Sequence, residues 1–551
     1  MSEARRIKSR AGCQQCKRRR VKCDLSSPSC TQCKRQMLQC PGYQKPLKWR
    51  DESKTLRQSQ VLTQQSYRSA SKDEVLTSTL PVDDEASVLI HHYFTKICKI
   101  AGCFDSDLNP FRKLASTMMS YSRPVYLLLQ ASSAAHLSRQ VPEMRIKALQ
   151  LQSEAFAAVR DDISKVQGPR QPRHNIVTDE LMISSIIAGL TSAWYDVNDV
   201  GGSHVLGGQV LLYLWLQPQR KRLQYQQTFI LGAFVYWLTI SSFVVGDAER
   251  SYQYQDNLLK TVNELDISHD FVDDTAVPDA LRRIFPHPLA GFSIPLLVMV
   301  GKVGSLCRMQ QTSGSSNNVA FTDLQERKAQ ALELELLDKA QVHLPNFADP
   351  MDPLTTIDEI LSVGEAYQCA GLLQLYATFP SLLQRQFARN YTDNLAAQVP
   401  SLEAEMEAMV TNSEGRYTAQ QHNWLRAFAF HICNILVSVP SNSGTRVLQG
   451  LPVIIASTWL VNPETSSREL TDPDTIVEHS RLFLCTSTKK TEYWRNQVRL
   501  GLRLHGEVVG LEQVSRIINI VEEIWRLDNE GYKKCDWMAV VASKGMQTLY
   551  G

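Results

Sequence analysis

Six cysteines in the first forty residues carry the densest chemistry in this 551-residue chain: Cys13, Cys16, Cys23, Cys30, Cys33 and Cys40, spaced C-x2-C-x6-C-x6-C-x2-C-x6-C. The pattern is one unit written twice, a CxxC pair and a third thiol six residues on. Thiolates at such spacing suit zinc, which takes four ligands in a tetrahedron. Six thiolates give two zinc ions four ligands each only if two are shared, so the spacing implies a compact cluster with two metal ions. The first six-residue gap is filled by Lys17-Arg18-Arg19-Arg20-Val21-Lys22. Residues 1–50 hold eight Arg and six Lys against Glu3 and Asp24, a formal +12, while the whole chain is only +3, leaving −9 for the remainder. Two zinc ions with six thiolates would themselves carry −2, which the surrounding cations more than offset. A basic run held in a metal-bound loop is suited to phosphates, and its binding should weaken steeply with salt.

From Gly12-Cys13 to Cys40-Pro41-Gly42-Tyr43, with Cys23-Asp24 and Pro28-Ser29-Cys30 between, the segment resembles the zinc binuclear cluster (Zn2Cys6) domain of fungal transcription factors. The resemblance implies that the first and fourth cysteines, Cys13 and Cys30, bridge the two zinc ions. It implies a short helix after the second cysteine that enters the major groove of double-stranded DNA and reads a CGG triplet. The family's base-reading position falls on Arg20, where many members carry lysine, with Arg19 beside it. Arginine donates two parallel hydrogen bonds to guanine O6 and N7. Lys17, Arg18 and Lys22 are then expected at phosphates, where contacts position without specifying. A nuclear regulator of RNA polymerase II-type promoters is the implied function. Gly42-Tyr43 with Leu47-Lys48-Trp49 resembles the subgroup that includes regulators of arginine and GABA metabolism; Trp49 packs under the cluster or anchors the linker.

The elements that must carry this head follow along the chain. Residues 1–9 are a basic arm, with Arg5-Arg6-Ile7-Lys8 as an import signal or phosphate contact and no apolar signal-peptide core behind it. Residues 10–43 form the cluster domain. Residues 44–83 read as a linker rich in Ser, Thr and Gln, without an apolar period. No heptad is sustained there, so the coiled coil by which many relatives dimerise is unsupported. Binding as a monomer and pairing of two copies through the C-terminal region both stay open.

Residues 84–551 read as helical. Ile90, Phe94, Ile97 and Ala101 recur at helical spacing, and Val514, Ile517, Ile518, Val521, Ile524 and Trp525 trace an apolar stripe. Ser203-His204-Val205-Leu206-Gly207-Gly208, His287-Pro288-Leu289-Ala290-Gly291-Phe292 and Leu451-Pro452-Val453-Ile454-Ile455-Ala456 resemble segments of the fungus-specific regulatory domain that follows this type of cluster. The expected fold is thus a small Zn2Cys6 binuclear cluster domain at the N-terminus and a large all-α helical regulatory domain. Phe229 to Gly246 is eighteen uncharged residues long, but its Gly, Tyr, Thr and Ser content points to a buried helix rather than a membrane span.

Catalytic signatures are missing. Gly201-Gly202 and Gly207-Gly208 do not form GxGxxG, and there is no P-loop, GxSxG or HExxH. The chain is not expected to be an enzyme. His91-His92 sits on an apolar-striped helix and reads as packed rather than ligating. The cysteines beyond the cluster show no metal spacing and read as small buried hydrophobes, although Cys98 and Cys103 are close enough to suggest a redox pair. Trp194, Phe234, Tyr236 and Trp237 could line a pocket for a small-molecule effector, with core packing the simpler account. Val521-Glu522-Glu523-Ile524-Trp525 could meet a coactivator, but its clean period argues for a docked helix. The competing reading is a scaffold or metabolite-binding protein whose cluster gives only non-specific nucleic-acid attachment.

Overall fold

The computed structural model describes residues 13–19, 21–24, 26, 29–38, 40, 84–107, 109–166, 177–216, 222–267, 285–289, 291, 293–313, 319–337, 347–395, 417, 419–461, 491–532 and 536–550. The expectations for the arm 1–9, Arg20, Tyr43, Trp49 and the linker 44–83 lie outside these residues. The chain divides into two compact units, Met1–Thr79 and Leu80–Gly551.

In the first unit, α1 (Gln14–Arg18) and α2 (Thr31–Lys34) each start directly after the first cysteine of a CxxC pair. Neither is long enough to hold its shape by backbone hydrogen bonding alone. The thiols supply what is missing. Cys13 Sγ accepts the Cys16 N–H at 3.4 Å, and Cys30 Sγ accepts the Cys33 N–H at 3.4 Å. Each sulfur takes the place of a capping oxygen at a helix start.

The second unit is helical. Its first helix, α3 (Glu85–His92), continues through a π turn at Tyr93–Ile97 and a last turn at Cys98–Ile100. The apolar stripe read from sequence packs on the core, beside a more deeply buried row. The expected face was Ile90, Phe94, Ile97 and Ala101, but the fully buried row is Leu89, Tyr93 and Ile97, with Ile90, Phe94 and Ala101 packed at its margin. The offset begins at Leu89, ahead of the π turn, on the helix that packs against the later helix Arg123–Leu137. Next come α4 (Pro110–Met118), α5 (Arg123–Leu137), α6 (Met144–Val166), α7 (Asp179–Leu190), the short α8 (Ser192–Tyr195) and α9 (Gly202–Leu216).

The centre of the body is α10 (Tyr225–Ser241), α11 (Ala248–Glu264), α12 (Ile294–Ser313), α13 (Val319–Leu336) and α14 (Ile357–Thr378). Every residue of α10 from Thr228 to Ser241 is buried, so the long uncharged segment is a core helix. Among the described residues, no helix is long and apolar enough to cross a membrane. Phe234, Tyr236 and Trp237 are core residues, and α7 passes so close that a Cβ on Gly189 would fall 1.9 Å from the Trp237 ring. Of the four aromatics considered for a pocket, Trp194 alone is half exposed. α12 packs against α10, α11 and α14. Thr239 Oγ1 donates to the Leu297 carbonyl at 2.8 Å, and the buried Lys302 meets Asp256 at 2.9 Å.

The chain closes with α15 (Pro380–Leu395), α16 (Ala419–Ser438), α17 (Gly450–Ser457), α18 (Thr491–Val509), α19 (Glu512–Asn529) and α20 (Trp537–Lys544). The Pro-containing segment at 451–456 lies in α17, all of which is buried. α19 docks by the stripe read from sequence, burying Val514, Ile517, Val521, Ile524 and Trp525. Its acids are used internally: Glu522 pairs with Arg499 at 2.6 Å, and Glu523 pairs with Arg526 at 2.8 Å and Lys544 at 3.0 Å. The strands found among the described residues are two residues long, β1 (Arg222–Leu223) parallel to β2 (Asp266–Ile267).

His287 explains the His-Pro-Leu segment. Its Nε2–H donates to the Phe229 carbonyl at 2.9 Å, its Nδ1 accepts the Leu289 N–H at 2.9 Å, and its ring stacks on Phe229. Gly232 must lack a side chain here, because a Cβ would sit 2.5 Å from the imidazole. Burial pushes the His287 pKa down to about 4, so the ring is neutral and acts as a structural pin.

Candidate metal centre and nucleic-acid interface

The six thiols of the first unit gather into two quartets. Cys13, Cys16, Cys23 and Cys30 form one, Cys13, Cys30, Cys33 and Cys40 the other, with the sulfurs of each quartet within 4.8 Å of one another. Cys13 and Cys30 belong to both. Sulfur–sulfur separations are 3.8 Å for Cys13–Cys30, 3.8 Å for Cys13–Cys33 and 3.5 Å for Cys16–Cys30. Sulfurs about 2.3 Å from a tetrahedral zinc lie about 3.8 Å apart, so the separations fit the metal. The donor set fits as well. As bare thiols, Cys16 and Cys33 are pushed up by burial and then by hydrogen bonds to neighbouring cysteines, Cys33 to about 12. Thiols so crowded deprotonate together only with positive charge among them, which two zinc ions supply. The unit holds a binuclear zinc cluster.

The doubled sequence pattern is a doubled structure. A step of 17 residues carries Cys13 to Cys30, and the same step carries Cys16 to Cys33 and Cys23 to Cys40. Hydrogen bonds repeat with it: the Val21 N–H reaches the Cys16 carbonyl at 3.1 Å, and the Leu38 N–H reaches the Cys33 carbonyl at 3.0 Å. Asp24 fastens one half to the other. Its carboxylate accepts the Ser26 hydroxyl at 2.6 Å, the Thr31 backbone N–H at 3.1 Å and the Thr31 hydroxyl. Those bonds, Ser26 first and Thr31 next, hold the Asp24 pKa well below the usual carboxylate range. In the sequence Asp24 was a mark of resemblance. In the structure it is the tie at the start of α2.

Of the residues expected at DNA, Lys17 and Arg18 are on α1 and Arg19 follows it. Arg18 and Lys22 are exposed. Arg19 is half-buried, its guanidinium donating to Gln36 Oε1, so it braces the two halves against each other. Sequence reasoning missed Lys34 and Arg35, exposed at the end of α2. The repeat could have found them, since the same step carries Lys17-Arg18 onto Lys34-Arg35.

Among its described residues the second unit contributes no comparable donor set. Cys98 and Cys103 are fully buried, and burial pushes Cys98 up to about 12 and Cys103 higher. Thiols held protonated are poor nucleophiles, which answers the redox-pair idea. His92 Nε2 lies 3.1 Å from His136 Nδ1, and burial lowers the His92 pKa to about 4.

Two family models match the chain. The fungal Zn(2)-Cys(6) binuclear cluster domain matches residues 11–50, and the fungal specific transcription factor domain matches residues 88–551. No curated protein and no solved structure matches the chain.

Proposed function

This chain belongs to the fungal Zn(2)-Cys(6) transcription factors and is a DNA-binding transcription regulator, and from that premise we propose that it reads CGG-like triplets in promoters of the RNA polymerase II type. The observation that carries the reading is the pair of thiol quartets sharing Cys13 and Cys30, with a basic run opening from α1. Membership of both quartets supports Cys13 and Cys30 as the residues that would be shared between the two zinc ions, with Cys16, Cys23, Cys33 and Cys40 each serving one. Zinc held by these thiols would supply rigidity, fixing the end of α1 without a hydrophobic core so that the basic run could meet DNA already ordered.

Arg20 is the base reader in this proposal. It directly follows Arg19, whose guanidinium donates to Gln36 Oε1. Arg18 and Lys22, both exposed, and Lys17 contact phosphates. The body is a regulatory region, for which an effector, coactivators or a second copy are the partners in view. A nuclear location follows from this function.

Replacing Arg20 with Ala tests the assignment. The variant should lose roughly 1–3 kcal/mol of preference for CGG-containing over random duplex. Lys22→Ala should weaken both equally and flatten the salt dependence. An unchanged ratio in Arg20→Ala would remove Arg20 from base reading.

A further inference from the structure

Between the α5–α6 turn, the segment leaving α8 and the α18–α19 turn, the body has a cleft of about 390 Å³. That volume is within the range of small-molecule sites. Arg139, Arg145, Trp194, Tyr195, Asp196 and Glu512 are among its lining residues. Their charges divide unequally. Arg139 and Glu512 face each other at 3.6 Å. No carboxylate among the described residues pairs with Arg145, and no cation pairs with Asp196, whose Oδ1 accepts only the Asn198 backbone and side-chain N–H groups at 3.0 and 3.1 Å. One cation and one anion without counterions therefore line the same cleft without pairing to each other. Trp194 and Tyr195 provide aromatic surface directly beside Asp196.

The walls are built before any ligand arrives. His136 donates from Nε2 to the Val509 carbonyl at 3.2 Å, fixing the α18–α19 turn against α5. Arg516 donates to Asn198 Oδ1 at 2.9 Å, fixing the segment that carries Asp196 against α19. A site so braced loses little order on binding, which favours a ligand too small to bring much contact area of its own.

We propose that this cleft binds a small zwitterion, its carboxylate against Arg145, its ammonium group against Asp196 and its hydrocarbon body on Trp194 and Tyr195. Arginine suits the carboxylate because its planar fork donates two parallel hydrogen bonds. A singly charged molecule would satisfy one wall and leave the other charge unanswered, so selectivity arises from the group the wrong ligand lacks. The inference deepens the reading of the body as a regulatory region by naming the chemistry of its effector, and it rests on that reading.

Calorimetric titration of the zinc-loaded full chain tests it, with norleucine, aminocaproate and phenylalanine as zwitterions and caproate and hexylamine as singly charged counterparts. At least one zwitterion should bind about tenfold more tightly than either singly charged probe. Arg145→Gln and Asp196→Asn should each weaken it about tenfold, and in Asp196→Asn caproate should draw level with aminocaproate. Both side chains are exposed, so neither change threatens the fold. The proposal is overturned if no zwitterion binds while the chain still binds DNA, or if both variants bind as the native chain does. Binding with the expected charge dependence but with no change in DNA affinity or promoter output upholds the site and overturns the regulatory reading.

Discussion

In the N-terminal unit the fully buried apolar side chains among the described residues are cysteines, with Leu38 alone of the other apolar residues packed against them. In the body the corresponding set is a continuous core of Leu, Ile, Val, Phe and Trp running from Leu89 to Tyr550. One unit depends on bonds to metal and the other on surface removed from water. A few dozen residues cannot bury enough apolar area to order themselves, whereas several hundred can. The same contrast separates their tasks. The unit without a core can offer nearly all its basic groups to DNA, and the unit with a core can hold a shaped cleft.

Chelating the zinc should break the comparison most sharply. Structural zinc is worth roughly 10–16 kcal/mol of folding free energy in small zinc domains. Specific DNA binding should therefore vanish on chelation while the helical signal and the unfolding midpoint of the body stay where they were. A body that melted together with the cluster would mean that the two units are not independent in stability.

Acid should single out the body. His287 is buried with a pKa of about 4, whereas in an unfolded chain a histidine titrates near about 6.5. Between those values the unfolded state takes up a proton that the folded state refuses. The stabilisation is complete above about pH 6.5 and is lost as pH falls toward 4, at up to about 1.4 kcal/mol per pH unit for one group. His505, also held at about 4 by burial, adds to the slope. All twelve histidines lie at or beyond His91, so a histidine-dependent slope in denaturant midpoint can come only from the body. A flat midpoint from pH 6.5 to 5 would contradict the neutral, buried His287.

The smallest effect is expected from Asp24→Ala, which keeps all six thiols and removes the tie between the halves. Groups that orient metal ligands from outside the ligand shell typically change affinity by about 10–100-fold. Competition with a chromogenic chelator should show zinc held more weakly by about that factor, with two ions per chain retained. Unaltered affinity would reduce Asp24 to a local turn residue.

How much of this was written in the sequence follows from the range of the forces involved. The cluster was legible because ligand type and spacing are local: Cys13 and Cys16 are the two ends of one helical turn wherever the chain goes. The long helices were legible where the period was undisturbed, as from Val514 to Trp525. The π turn at Tyr93–Ile97 was not, since nothing in residue type marks an inserted residue; nor was the more deeply buried row that begins at Leu89, ahead of that turn. The zwitterion cleft was invisible for another reason. Arg145, Asp196 and Glu512 come from distant parts of the chain and line one cleft only when α6, α8 and α19 pack. Trp194 was singled out with Phe234, Tyr236 and Trp237, and packing sent three to the core and left one at the cleft.

The claim that the zinc unit makes this chain a sequence-specific reader is tested most directly by selecting bound duplexes from a random DNA pool with the zinc-loaded full chain, beside Arg20→Ala. The account predicts enrichment of CGG-containing sites by the native chain and loss of that enrichment in the variant. Salt-sensitive binding by the native chain with no sequence enriched would contradict it.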